Sequence, residues 1–202
     1  MEKEKEKEKE KEKEKLKEHL AASKVNHDAN ILAEPSLKYA HIYCVIHNIS
    51  GQQYGPLLEK YIILKHEYTK NAAKNCIGDC CKLGKNYEVK ASLGGAKHIK
   101  FNFVQIRLSH DIAAYILTAY YLTLDNVEEE GELFIFNVPK EMIGTIIFAH
   151  GSYAHGTKME HGAMTMEEVL DVNNKREYAL RPSYGDKCWV KLLEFRVNEC
   201  DL

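Results

Sequence analysis

The stretch from Asp79 to Lys90 constrains the fold more than any other part of the chain. It reads as a strand, a short turn around Gly84-Lys85-Asn86 and a second strand, since glycine and asparagine are turn residues. The two-residue period of a strand sends Glu88 and Lys90 to one face and Tyr87, Val89 and Ala91 to the other. A hairpin at this place brings Asp79 beside Glu88. Two carboxylates and a backbone carbonyl form a hard oxygen site suited to Mg²⁺. A lysine next to such a site can orient and activate a water, which is what hydrolysis of a phosphodiester needs.

A chain of 202 residues is long enough for one domain with its own core, and a hydrophobic fraction of 45% is ordinary for a globular protein. No run of eighteen apolar residues occurs, so no transmembrane helix and no membrane partner are expected. The charged N-terminus has no apolar stretch of the secretory kind. Among the six cysteines, Cys80 and Cys81 are adjacent; reduced thiols and a cytoplasmic location are expected rather than a disulfide framework. The formal net charge is −2, so any nucleic-acid binding has to come from a local basic face.

Residues 2–15 alternate Glu and Lys without exception. On a helix this places like charges at i,i+4 and opposite charges at i,i+3, and no apolar face exists to dock. Residues 1–20 are expected to be a solvated arm, disordered or a fraying helix, and residues 21–202 a single folded domain. Pro56 suits the first position of a helix whose buried stripe is Leu57, Leu58, Tyr61 and Ile62. A capping box from Ser50 and Gln53 would place Pro56 inside the helix, so the later start is preferred. Beyond the hairpin, strands are expected over Lys100–Arg107, Leu133–Val138 and Tyr178–Arg181. Ala113–Leu124 reads as either a buried strand or a helix, and Glu128–Gly131 as a turn. Helices are expected over Lys140–Phe148 and Thr165–Val172, with Asp186 capping a last one that carries Trp189, Leu192, Leu193 and Phe195. This order gives an α/β layered structure with a mixed central sheet flanked by helices.

The pattern Gly78-Asp79, an eight-residue gap, then Glu88-Val89-Lys90 resembles the PD-(D/E)XK nuclease superfamily, and within it the Type II restriction endonucleases. Several blocks extend the resemblance over residues 50–196: Ser50-Gly51-Gln52-Gln53 with Gly55-Pro56-Leu57-Leu58-Glu59, Asn102-Phe103-Val104-Gln105-Ile106-Arg107, Ala154-His155-Gly156-Thr157, and the run from Leu180 to Trp189. Gly78 departs from the family pattern, which often has proline before the first acid. The resemblance implies a restriction-endonuclease-like fold, Mg²⁺-dependent cleavage of double-stranded DNA and a homodimer. Carried over, Asp79 and Glu88 hold Mg²⁺ with the Val89 carbonyl, Lys90 positions or deprotonates the attacking water, and Glu59 matches a further acid that some members add.

Asn102, Gln105, Arg107, His155, Thr157, Arg181 and Lys187 are the candidates for DNA contact. Gln105 and Arg107 share a strand face, where Gln pairs with adenine and Arg with a guanine edge or a phosphate. His155 and Thr157 lie in a glycine-rich loop, and Arg181, Lys187 and Lys191 can form a backbone-contacting patch. Each has a plainer reading: a cross-strand salt bridge for Asp79, Glu88 and Lys90, and solvated surface charge for the others. His150, His155 and His161 are too loosely spaced for zinc, and Cys76, Cys80 and Cys81 lack a second close pair. Two other function classes stay open, a non-catalytic DNA-binding module of this fold and an interaction protein with no nucleic-acid role. Metal-dependent nicking and salt-dependent DNA retention separate them.

Overall fold

The computed structural model describes residues 59–72, 77–95, 100–122, 132–154, 164–171, 173–198 and 202, together with residues 7 and 11. The expected turn at 128–131, the helix start at Pro56, and Cys44, Cys76 and Cys200 lie outside them. Of the Glu-Lys arm, Lys7 and Lys11 are described, both helical and exposed.

A helix over residues 59–65 (α1) leads into β1 (Thr69–Lys70), β2 (Cys80–Lys82) and the long β3 (Lys85–Gly95). β4 (Phe103–Ile106) and β5 (Ala114–Leu122) follow, then β6 (Glu132–Pro139) and α2 (Lys140–His150). The chain ends through β7 (Gly151–Tyr153), α3 (Met166–Leu170), β8 (Tyr178–Leu180), α4 (Lys187–Leu193) and β9 (Arg196–Val197). Six strands form a mixed central sheet in the order β1-β2-β3-β5-β6-β9. Among the described residues, β3–β5 is the one parallel pair of this sheet.

β5 resolves the ambiguity of its apolar run. It is a central strand, paired along its edges with β3 and β6, and both of its faces are packed against helices; a strand covered on both faces shows no alternation. Tyr115, Leu117 and Ala119 join Phe134, Phe136 and Val138 of β6 on one face, against Ile143, Ile146 and Ile147 of α2 and Trp189 and Leu192 of α4. Ile116 and Tyr120 join Val89 and Ile135 on the opposite face, against Tyr61, Ile62 and Ile63 of α1. Helices thus flank the sheet on both sides.

Several expectations are corrected. The hairpin turn is Leu83-Gly84, both at positive φ (51° and 73°), while Lys85 and Asn86 already belong to β3. The run Lys100–Arg107 is a strand only over Phe103–Ile106, and it pairs outside the central sheet, in a second sheet ordered β4-β8-β7. Gln105 has φ 57° and the β4–β8 register shifts between Phe103 and Ile106, a bulge that breaks the two-residue alternation assumed for Gln105 and Arg107. The expected helix 165–172 is shorter, with Thr165 outside it as the N-cap, accepting from the Glu168 N–H. Phe195 follows α4 rather than riding on it. Asp186 does cap that helix, its Oδ1 accepting from the Trp189 N–H at 2.8 Å.

Candidate active site

The β2–β3 hairpin sets the site. Cys80 pairs with Tyr87 across it, and one step back along β2 brings Asp79 to the level of Glu88 and Val89. The Asp79 N–H donates to the Tyr87 carbonyl at 2.8 Å, and Asp79 Oδ2 accepts from the Val89 N–H at 2.8 Å. A residue's N–H and carbonyl leave a strand on the same edge, so the Val89 carbonyl also faces the Asp79 side.

Gly78 permits this approach. Its φ is 78°, and a Cβ there would stand 2.5 Å from the Tyr87 carbonyl oxygen. Proline is locked near −65° and cannot adopt that conformation. Glycine rather than proline before Asp79 therefore follows from how this chain enters the hairpin.

Glu88 is buried, 2% exposed, and both of its carboxylate oxygens are engaged. Oε1 accepts from Lys90 Nζ at 2.5 Å, on the face the strand period assigned to both residues. Oε2 lies 3.1 Å from His110 Nδ1. Burial first, and then the charge of Glu88, raise the Asp79 carboxyl to about 6, against the lowering effects of Lys90 and the Val89 N–H. The buried Glu88 and the half-buried Asp79 repel each other, and Lys90 offsets that repulsion only in part. Glu59 on α1 adds to the same repulsion while pairing with Lys70 at 3.2 Å. The donor set, Asp79, Glu88 and the Val89 carbonyl, is all oxygen and fits a hard divalent cation. Among the described residues, no three His, Cys, Asp or Glu side chains are grouped to hold a metal by themselves.

His110 had no sequence signal. It lies in the turn between β4 and β5, in the stretch Ser109-His110-Asp111, and reaches Glu88 only because β5 runs parallel beside β3. Cys80, buried next to Asp79, has its thiol pushed up to about 12 by burial and by that charge, so it is an inert packing group.

The DNA-contact candidates collect elsewhere. Asn102 and Gln105 are exposed on and beside β4. Arg107 follows β4, and its Nε donates to Glu177 Oε1 at 2.8 Å. Arg181 follows β8 and donates to the Ser152 hydroxyl and the Ala154 carbonyl. Lys187 is exposed at the start of α4, and Lys191 pairs with Glu194 at 2.6 Å. His155 and Thr157 lie outside the described residues. The second sheet thus gathers Asn102, Gln105, Arg107 and Arg181, while the central sheet holds the acids and Lys90. The two are joined by their shared apolar core and by hydrogen bonds, among them the Ser92 hydroxyl on the Glu88 face of β3 accepting from the Asn102 N–H at 2.7 Å and the Tyr115 hydroxyl of β5 donating to the Arg107 carbonyl at 2.8 Å.

A cleft of about 520 Å³, lined by residues that include Leu108, Ile112, Lys140, Gly144 and Leu170, does not contain the acids. It meets the site at His110, whose carbonyl accepts from Lys140 Nζ at 2.5 Å and from the Ile112 N–H at 3.1 Å.

Compared with known proteins, the chain matches no protein-family model and no curated protein sequence. The functional reading accordingly stands on the geometry of the hairpin.

Proposed function

We propose that this protein is a Mg²⁺-dependent, site-specific endonuclease of double-stranded DNA, of Type II restriction type, on a restriction-endonuclease-like fold. The observation that carries this reading is the meeting of Asp79 and Glu88 across the β2–β3 hairpin with Lys90 on the Glu88 face. Asp79, Glu88 and the Val89 carbonyl would hold Mg²⁺, with Glu59 as a neighbouring acid. Bound there, the ion supplies positive charge that polarises a phosphate and acidifies water. Lys90 is preset by its bond to Glu88 and places an ammonium where charge builds on the scissile phosphate. The second sheet contributes the surface that reads the duplex, through Asn102, Gln105, Arg107 and Arg181. A two-fold dimer reading a palindromic target is the matching assembly, since symmetry in the site mirrors symmetry in the protein.

Digestion of a sequenced plasmid with Mg²⁺, followed by mapping of the ends, tests the proposal. Discrete, reproducible ends that vanish with EDTA and with Glu88→Ala are expected. Cleavage by Glu88→Ala near the wild-type rate, or no cleavage of any duplex that the protein binds, would remove the catalytic assignment.

A further inference from the structure

We propose that His110 is a positioning residue: it fixes the direction of the Glu88 carboxylate and thereby sets the affinity of the Asp79–Glu88 site for a divalent cation. The inference rests on the nuclease reading of that site. Glu88 has two acceptor oxygens, one bound by Lys90 and the other facing His110. An ionised carboxylate only accepts, so His110 Nδ1 carries the hydrogen of that bond.

The two partners are not equivalent. Lys90 sits on the same strand as Glu88, at the end of a flexible four-carbon stem, and catalysis directs its ammonium toward the phosphate. His110 belongs to another element and has a short, stiff side chain, 12% exposed. Its backbone is held from several directions. The His110 N–H donates to the Arg107 carbonyl at 3.2 Å, and its own carbonyl accepts from the Ile112 N–H at 3.1 Å and from Lys140 Nζ at 2.5 Å. A buried glutamate with several rotatable bonds needs such an anchor to keep one direction. Whatever Lys90 does, His110 retains one oxygen of Glu88 and so decides where the other faces. Hydrogen-bond partners of ligating carboxylates commonly contribute about 10–100-fold to metal affinity.

The test is calorimetric titration of the full chain with Ca²⁺ and with Mn²⁺, alongside thermal melts that verify folding. His110→Ala should bind the cation about 10–100-fold more weakly. His110→Asn, which places an amide N–H near the position of Nδ1, should recover most of the affinity. His110→Gln, whose amide extends to the position of Nε2, should not. Wild-type affinity in His110→Ala, or equal affinities in the Asn and Gln variants, would overturn the proposal; the latter comparison decides even if the alanine variant does not fold. Glu88→Ala separates the two levels of the reading. If it binds the cation as well as wild type, the nuclease assignment itself fails, whereas a His110 failure with Glu88→Ala inactive in binding leaves that assignment standing.

Discussion

Asp79 is where burial and charge conflict most sharply. Its carboxyl, raised to about 6 from 3.8 by burial and then by Glu88, favours the fold in its protonated form. That contribution is complete below about pH 4 and is lost as the pH climbs through about 6. Asp79→Asn keeps an acceptor for the Val89 N–H and carries no charge. In EDTA the variant is expected to melt with wild type at pH 4 and above it at pH 8, by on the order of 1–3 kcal/mol. Mg²⁺ should narrow or reverse the gap, because a cation stabilises only the charged form. Thermal denaturation across pH, with and without Mg²⁺, measures this; an Asn variant less stable than wild type at pH 8 in EDTA would refute the account. Lys90 yields a second expectation. Lys90→Ala should slow Mg²⁺-dependent cleavage by about 10²–10³-fold or more while sparing duplex affinity in Ca²⁺, since the lysine acts on charge that develops only during the reaction. Single-turnover cleavage and gel-shift titration check it, and a variant that loses binding and cleavage together would return Lys90 to a structural role.

At the level of elements, the hairpin was legible because its signals are local. Glu88 and Lys90 sit two apart on one strand, and Asp79 lies one step beyond the last β2–β3 pair, so the turn alone brings the acids together. The capping of α4 by Asp186 is likewise a short-range signal. What sequence could not convey depends on non-local pairing. β4 leaves the central sheet for β8, and a bulge at Gln105 re-aims the residues after it, so the alternation in Asn102–Arg107 misleads. His110 enters the site through the parallel β3–β5 pairing, whose partners are 27 positions apart in the chain, as with Glu88 and Tyr115. The intramolecular bond of Arg107 to Glu177 belongs to the same class. Arg107→Ala is expected to weaken cognate-duplex binding by about 1–3 kcal/mol if the side chain reaches a base edge, with cleavage of bound DNA unchanged. Gel shifts on cognate and scrambled duplexes decide, and equal binding of both by variant and wild type would confine Arg107 to its pair with Glu177. Gly78 tests the hairpin entry itself. Gly78→Ala sets a Cβ 2.5 Å from the Tyr87 carbonyl at φ 78°. It should destabilise the fold by about 1–3 kcal/mol and misplace Asp79. Urea denaturation gives the loss, and an unperturbed midpoint would mean that the backbone there yields freely.

The molecule as a whole carries a formal charge of −2, yet binding DNA requires a positive surface. The Glu-Lys arm does not supply it. Residues 2–15 hold seven Glu and seven Lys, so they cancel both in total and along their length. Lys7 and Lys11, the described residues of the arm, are helical, exposed and four apart, the spacing at which like charges on a helix repel. The favourable i,i+3 pairs offset that repulsion without providing an apolar stripe, so the arm has neither a face to bury nor a net field to extend toward a polyanion. Under the proposed function, DNA affinity is assigned to basic side chains of the folded part, such as Arg107, Arg181 and Lys187. Deleting residues 2–15 is therefore expected to shift the melting temperature by no more than about a degree, and to leave the slope of log K against log salt for duplex binding unchanged. That slope counts phosphate contacts at about 0.9 each, so the loss of even two arm lysines from the interface would register. A shallower slope in the truncated chain would place the arm on the DNA, and a drop of several degrees in melting temperature would show that it docks on the domain.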